Sequence, residues 1–211
     1  MKRLVEKKAS IDGPAGRIEA LVSEPESAPA VAVLCHPHPQ HGGTMNNKVV
    51  HTLARTLAGK GFATIRFNFR GVGESEGSYA DGRGEVEDAR AIIDHARQQW
   101  PGLPVWLGGF SFGAMVGIVA AANQDIAGLV SVAPPVDRLD IAEIAQPQCP
   151  WLILIGDEDE LVDVDTVVEW VNQLDPGPQL RVLEGVDHFF HGRLTQLGEC
   201  VLAWMDEEAA I

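Results

Sequence analysis

"PVWLGGFSFGAMVGIVAA", residues 104–121, decides how the rest of the chain is read. Residues 104–110 form an apolar run without polar alternation, which predicts a buried strand. From Phe112 the chain is rich in small residues and predicts a helix through Gln124. Between the two lies Gly109-Phe110-Ser111-Phe112-Gly113, a G-x-S-x-G closing a strand and opening a helix. A serine presented at such a sharp turn takes a strained backbone conformation. Strand and helix then pass so closely that the positions two before and two after it must be slim, and both are glycine. The helix start also aims N–H groups and positive dipole at the serine oxygen, which suits an oxyanion. The N–H of Phe112 is the natural first donor.

Outward from this turn, strand and helix signals alternate. Val31–His36, 62–69, 126–133, 150–156 and 179–185 read as strands. Helical spacing marks Asn46–Gly59, 84–100, 164–174 and Arg193–Glu208. The stripe Val86, Ala89, Ile92, Ile93, Ala96 gives the second of these one apolar face. "LVEKKASI" and "RIEALVSE" flank the turn "DGPAG" and predict an N-terminal antiparallel hairpin. This order predicts an α/β fold of one domain over residues 1–211: a mostly parallel twisted sheet with helices on both faces. In such sheets function collects where strands end.

A serine nucleophile needs a base, and the base needs an orienting acid. "WLILIGDEDELV" sets Asp157, Glu158, Asp159 and Glu160 just past one strand, and "LRVLEGVDHFFHG" sets His188 just past the last. Serine, acid and histidine therefore follow three strand ends in a recognised order. The chemistry of the acidic run does not choose among its members.

Composition narrows the partners. The 16 basic and 30 acidic residues give a net charge of −14, which argues against nucleic acid and anionic membranes. No apolar run approaches a membrane span, and no apolar segment follows the first positive charges, so neither anchor nor signal peptide is expected. Cys35, Cys149 and Cys200 are scattered and imply no disulfide framework, which fits a reducing cytoplasm. A homodimer is left open.

Three other stretches invite different chemistry. "HPHPQH", residues 36–41, offers His36, His38 and His41 as metal ligands. However, Gln40 stands where a metal-binding H-x-H-x-D-H has its carboxylate, and two prolines restrict the loop. "GVGESEG" (71–77) has G-x-G without the third glycine in register, and "GGTMNNK" lacks P-loop spacing, so no nucleotide cofactor is expected.

The stretches "HPHPQHGGTMNNK", "RFNFRGVGESEG", "GFSFGA", "GDEDELV" and "DHFFHGRL" together resemble the α/β-hydrolase superfamily. They are most similar to small bacterial dienelactone-hydrolase-like proteins and short-chain carboxylesterases, over about Val31 to Leu194. The resemblance implies Ser111 as nucleophile, His188 as base and Asp159 as acid, with no metal and no cofactor. It implies Arg70 in a structural network. It also implies a second oxyanion donor from the loop after Val31–His36. Pro37 and Pro39 lack an N–H, which leaves the His38 N–H, with Gln40 as fallback. Dienelactone hydrolases proper use cysteine; the serine here favours ordinary ester hydrolysis.

The expected activity is a serine carboxylesterase working through an acyl-enzyme on small-molecule esters. Only a short stretch, Pro134–Pro150, separates two strands where larger relatives insert a lid, so no lid domain and short, soluble substrates are expected. Phe110, Phe112, Met115, Phe189 and Phe190 are candidate pocket residues. The alternatives are acyl transfer or perhydrolysis on the same triad, a non-catalytic binding protein, and a metal-dependent hydrolase.

Overall fold

The structure, a computed structural model, describes residues 4–138 and 145–207. The chain runs β1 (Lys7–Gly13), β2 (Gly16–Ser23), β3 (Val31–Cys35), α1 (Lys48–Gly59), β4 (Ala63–Phe67), α2 (Arg83–Gln99), β5 (Val105–Phe110), α3 (Phe112–Ala121), β6 (Gly128–Val132), β7 (Trp151–Gly156), α4 (Val164–Val171), β8 (Gln179–Leu183) and α5 (Leu194–Glu207). The eight strands form a single sheet in the order β1-β2-β4-β3-β5-β6-β7-β8. β1 and β2 pair antiparallel, β2 joins β4 antiparallel, and every later pairing is parallel. This is the predicted α/β-hydrolase architecture.

The apolar strands lack polar alternation because both sheet faces are covered. Val31, Val33 and Cys35 of β3 enter one core, while Ala32 and Leu34 enter the other. β7 repeats the division, with Trp151, Ile153 and Ile155 on one side and Leu152 and Leu154 on the other. The apolar faces of α2 and α3 and Val167 of α4 fill the first core; those of α1 and α5 fill the second. Full burial of an isoleucine such as Ile92 or Ile93 contributes about 2–3 kcal/mol. The stripe expected on α2 is buried throughout.

Helix starts follow side-chain chemistry. Asn47 caps α1 by accepting from the Val49 N–H at 2.9 Å. Asp163 caps α4 by accepting from the Thr166 N–H at 2.9 Å. Glu85, buried in the first turn of α2, accepts from the Ala80 and Gly82 N–H groups.

The loop 71–77 is sewn to β2. Glu19 accepts from Asn68 Nδ2 at 2.7 Å and from the Glu74 N–H at 2.9 Å. The Ser75 hydroxyl donates to Asn68 O and accepts from the Glu19 N–H. Arg70 forms a buried ion pair with Asp88, which also accepts from the Arg70 N–H. That is the structural network expected for this arginine.

The chain reverses direction across the sheet at β3. It passes to β4 on one side and then to β5 on the other, which opens a crevice beyond the carboxyl ends of β3 and β5. Between β6 and β7 the described residues hold one short 3-10 turn, Val136–Arg138, and no lid domain. The short helix that the sequence allowed in this connection falls partly on residues 139–144, outside the described residues. Among the described residues no helix is long and apolar enough to cross a membrane.

Candidate active site

Ser111 joins β5 to α3 with φ 54° and ψ −123°, a positive-φ conformation that is costly for serine. Its N–H donates to Val132 O at 2.8 Å, which ties the turn to the end of β6. A Cβ on Gly109 would strike the Gly113 carbonyl, and one on Gly113 would strike the His36 and Cys35 carbonyls. The two glycines are therefore required by backbone contact. For Gly113 the partner is the end of β3, so the same residue seats α3 against the histidine loop.

The Ser111 Oγ lies 3.1 Å from His188 Nε2. His188 Nδ1 lies 2.8 Å from Asp159 Oδ2 and 3.0 Å from Oδ1. Asp159 Oδ1 also accepts the Leu161 and Val162 N–H groups at 2.9 and 2.8 Å. The Asp159 side chain is 0% exposed and that of His188 is 3% exposed, so this carboxylate is compensated by directed donors instead of water. With the carboxylate accepting, the imidazole carries its proton on Nδ1 and leaves the Nε2 lone pair facing the serine hydroxyl.

The choice among the four acids is geometric. Asp157 is exposed and accepts the Gly185 N–H at 2.7 Å, bracing its own loop. Glu160 accepts the His188 N–H at 3.3 Å and so holds backbone, not ring. Glu158 is exposed. Only Asp159 reaches the imidazole.

The Phe112 N–H, at the start of α3, and the His38 N–H donate to no protein acceptor among the described residues. The fallback donor Gln40 is spent: its N–H donates to His38 Nδ1 at 3.2 Å. The His38 ring packs on Phe112 with ring centres 4.8 Å apart, which brings the histidine loop against the start of α3.

The other histidines of "HPHPQH" do not assemble a metal site. Both ring nitrogens of fully buried His36 are engaged. Nε2 accepts from the Phe69 N–H at 3.0 Å, and Nδ1, 2.6 Å from Pro37 O, donates to it. Burial lowers its pKa to about 4, so the ring is neutral. His41 is exposed and stacks on His38. Among the described residues no group of three or more His, Cys, Asp or Glu is placed to hold a metal ion. This donor set does not fit a metal and instead braces a loop.

Ser111 opens into a cleft of about 240 Å³. Its lining divides by chemistry. His38, His41, Tyr79, Asp81 and Arg138 are polar, whereas Phe112, Met115, Leu161 and Val162 are apolar. Met115 and Phe112 are where the sequence reading put them. The expectation for three other aromatics is corrected. Phe110 and Phe190 are fully buried in the second core, and Phe189 packs edge-on against the His188 ring, outside the cleft lining. An aromatic beside a catalytic motif fills core as readily as pocket, and the pattern of residues does not separate the two. Sequence reasoning missed Tyr79, Asp81, Pro135, Arg138, Leu161 and Val162 as lining residues. Tyr79 follows a loop read as purely structural, and the only signal, a tyrosine after a strand end, is weak.

The chain matches the family model described as serine aminopeptidase, S33, over residues 29–147. It is similar to an α/β serine hydrolase homologue from Coxiella burnetii, at 44% identity and TM-score 0.90, over 96% of this chain and 99% of that one. It is also similar to an α/β serine hydrolase without lid from Xanthomonas campestris. There the identity is 38% and the TM-score 0.92, over 100% of this chain and 98% of the other. A shorter similarity, 32% identity over 99 residues, links 44% of this chain to 33% of the human monoglyceride lipase.

Proposed function

Because the chain belongs to the α/β serine hydrolase family, we propose that it is a carboxylesterase that cleaves short, soluble esters through an acyl-enzyme on Ser111. The observation that carries this reading is the hydrogen-bonded series Ser111–His188–Asp159, hung on a strained turn and opening into a cleft. The monoglyceride lipase similarity supports ester over amide bonds.

In this mechanism His188 Nε2 takes the Ser111 proton as Oγ attacks the ester carbonyl. The oxyanion rests on the N–H groups of Phe112 and His38, which are unspent on protein acceptors among the described residues. Asp159 holds the tautomer and stabilises the imidazolium. The alcohol leaves with the proton from His188, and water repeats the sequence on the acyl-enzyme. The small cleft suits short acyl chains.

The test is a fluorophosphonate probe read by intact mass, with a 4-nitrophenyl ester series. A single adduct that disappears in Ser111→Ala, together with a loss of kcat/KM on the order of 10⁴-fold or more, is the expected result. Labelling that survives in Ser111→Ala would exclude Ser111 as nucleophile. An aminoacyl 4-nitroanilide, turned over in preference to every ester, would replace the esterase by a peptidase.

A further inference from the structure

The side chains of His38 and Tyr79, in the polar part of the Ser111 cleft, have no task in the steps above. Its hydrogen bonds have a fixed direction. The Gln40 N–H donates to His38 Nδ1 at 3.2 Å. A backbone amide cannot accept, so Nδ1 keeps its lone pair and the proton of the neutral ring sits on Nε2. Burial, with the charges of His41 and Arg138, lowers the His38 pKa and favours that neutral ring. His38 Nε2 lies 3.3 Å from Tyr79 Oη. The ring therefore donates and the phenol oxygen accepts.

The Tyr79 hydroxyl then has a proton to place, and it donates to no acceptor among the described residues. Two carboxylates act on it through their charge, Glu85 and Asp81. Glu85 is committed to the Ala80 and Gly82 N–H groups, and Asp81 accepts nothing from the phenol. The Tyr79 ring is half-buried, packed on His38 and Phe112, and lines the same cleft as Ser111. Its O–H is thus offered to the space a substrate fills.

We propose that Tyr79 determines specificity: its O–H, polarised by His38, donates to a second oxygen of the substrate. The preferred substrates are short esters carrying an ether, hydroxyl or carbonyl oxygen beside the scissile group. The inference rests on the esterase reading and deepens it.

The test uses isosteric ester pairs in which one methylene becomes an ether oxygen. The pairs are 4-nitrophenyl butyrate with methoxyacetate, 4-nitrophenyl pentanoate with 3-methoxypropanoate, and butyl with 2-methoxyethyl acetate. Intrinsic reactivity within a pair cancels when wild type and Tyr79→Phe are compared. At least one pair is expected to lose preference for its oxygen-bearing member by about fivefold in Tyr79→Phe, the size of one neutral hydrogen bond. Preferences equal in wild type and variant across all pairs overturn the inference and leave the esterase reading intact. Absence of turnover of every ester by wild type overturns the esterase reading itself. Independently of substrate, the ¹⁵N shifts of the His38 ring should report a proton on Nε2. A proton on Nδ1 would make Tyr79 the donor to His38 and overturn the inference.

Discussion

His36 shows how one side chain can couple the fold to pH. Its ring joins the loop after β3 to the segment after β4, accepting from the Phe69 N–H while donating to Pro37 O. A protonated ring would lose its acceptor and set one N–H against another. Burial accordingly brings its pKa from 6.5 to about 4. Between those values the unfolded chain binds a proton that the folded chain refuses. Stability is therefore intact above pH 6.5 and falls as the pH drops toward 4, by about 3 kcal/mol at most. Urea unfolding at pH 7 and pH 4.5 reads this directly. Carboxylates add their own slope, so the comparison is with His36→Gln, which has no titrating ring. The variant should be less stable at pH 7 and lose less on acidification. Equal losses in both proteins would remove His36 as the cause. The sequence showed three clustered histidines but not this division of tasks. Which ring is buried depends on the path of the loop, and a histidine reads alike as ligand, brace or surface residue.

At the scale of elements, α3 carries two glycines only four residues apart, one required by backbone contact and one not. Gly113 lies against the carbonyls of Cys35 and His36, which belong to backbone and cannot rotate aside. Gly113→Ala should force α3 away from β3, costing on the order of 1–3 kcal/mol or more. It should also depress kcat, because the shift separates Ser111 from the His38 loop. Gly117, one turn further on, faces only the Leu107 and Leu129 side chains at ordinary distances of 3.7 and 3.8 Å. Gly117→Ala should be neutral or stabilising by up to about 1 kcal/mol, since alanine favours helix. Thermal unfolding of the two variants checks the contrast, and similar melting temperatures would contradict it. The elements themselves were largely legible, because strands covered on both faces and helices with one apolar stripe leave different patterns in sequence. Boundaries were less so. The α4 helix was expected to run to Leu174 but ends at Val171, short of Pro176, where the chain must already be turning.

At the scale of the whole molecule, Ser111, Asp159 and His188 come together only because the parallel strands β5, β7 and β8 end on the same, carboxyl side of the sheet. Their order along the chain was readable from three strand ends; residue chemistry left the acid open, and only the family resemblance pointed to Asp159. Asp157 and Asp159 both follow β7, and only the turn that buries one and exposes the other distinguishes them. Substitution by asparagine makes the distinction measurable. In Asp159→Asn the amide oxygen stays with the Leu161 and Val162 N–H groups, which Oδ1 already accepts. The new NH₂ then points at His188 Nδ1, which must become the acceptor. The ring proton moves to Nε2 and faces the serine, so the base is lost while the packing is kept. We expect kcat/KM to fall by roughly 10³- to 10⁴-fold with little change in unfolding. In Asp157→Asn an oxygen remains for the Gly185 N–H, so activity should stay within about twofold and stability within about 1 kcal/mol. Ester kinetics paired with urea unfolding separate the two outcomes. If Asp157→Asn were the inactive variant, the acid of the proposed triad would have to be reassigned, and the turn after β7 would adopt a different arrangement during catalysis.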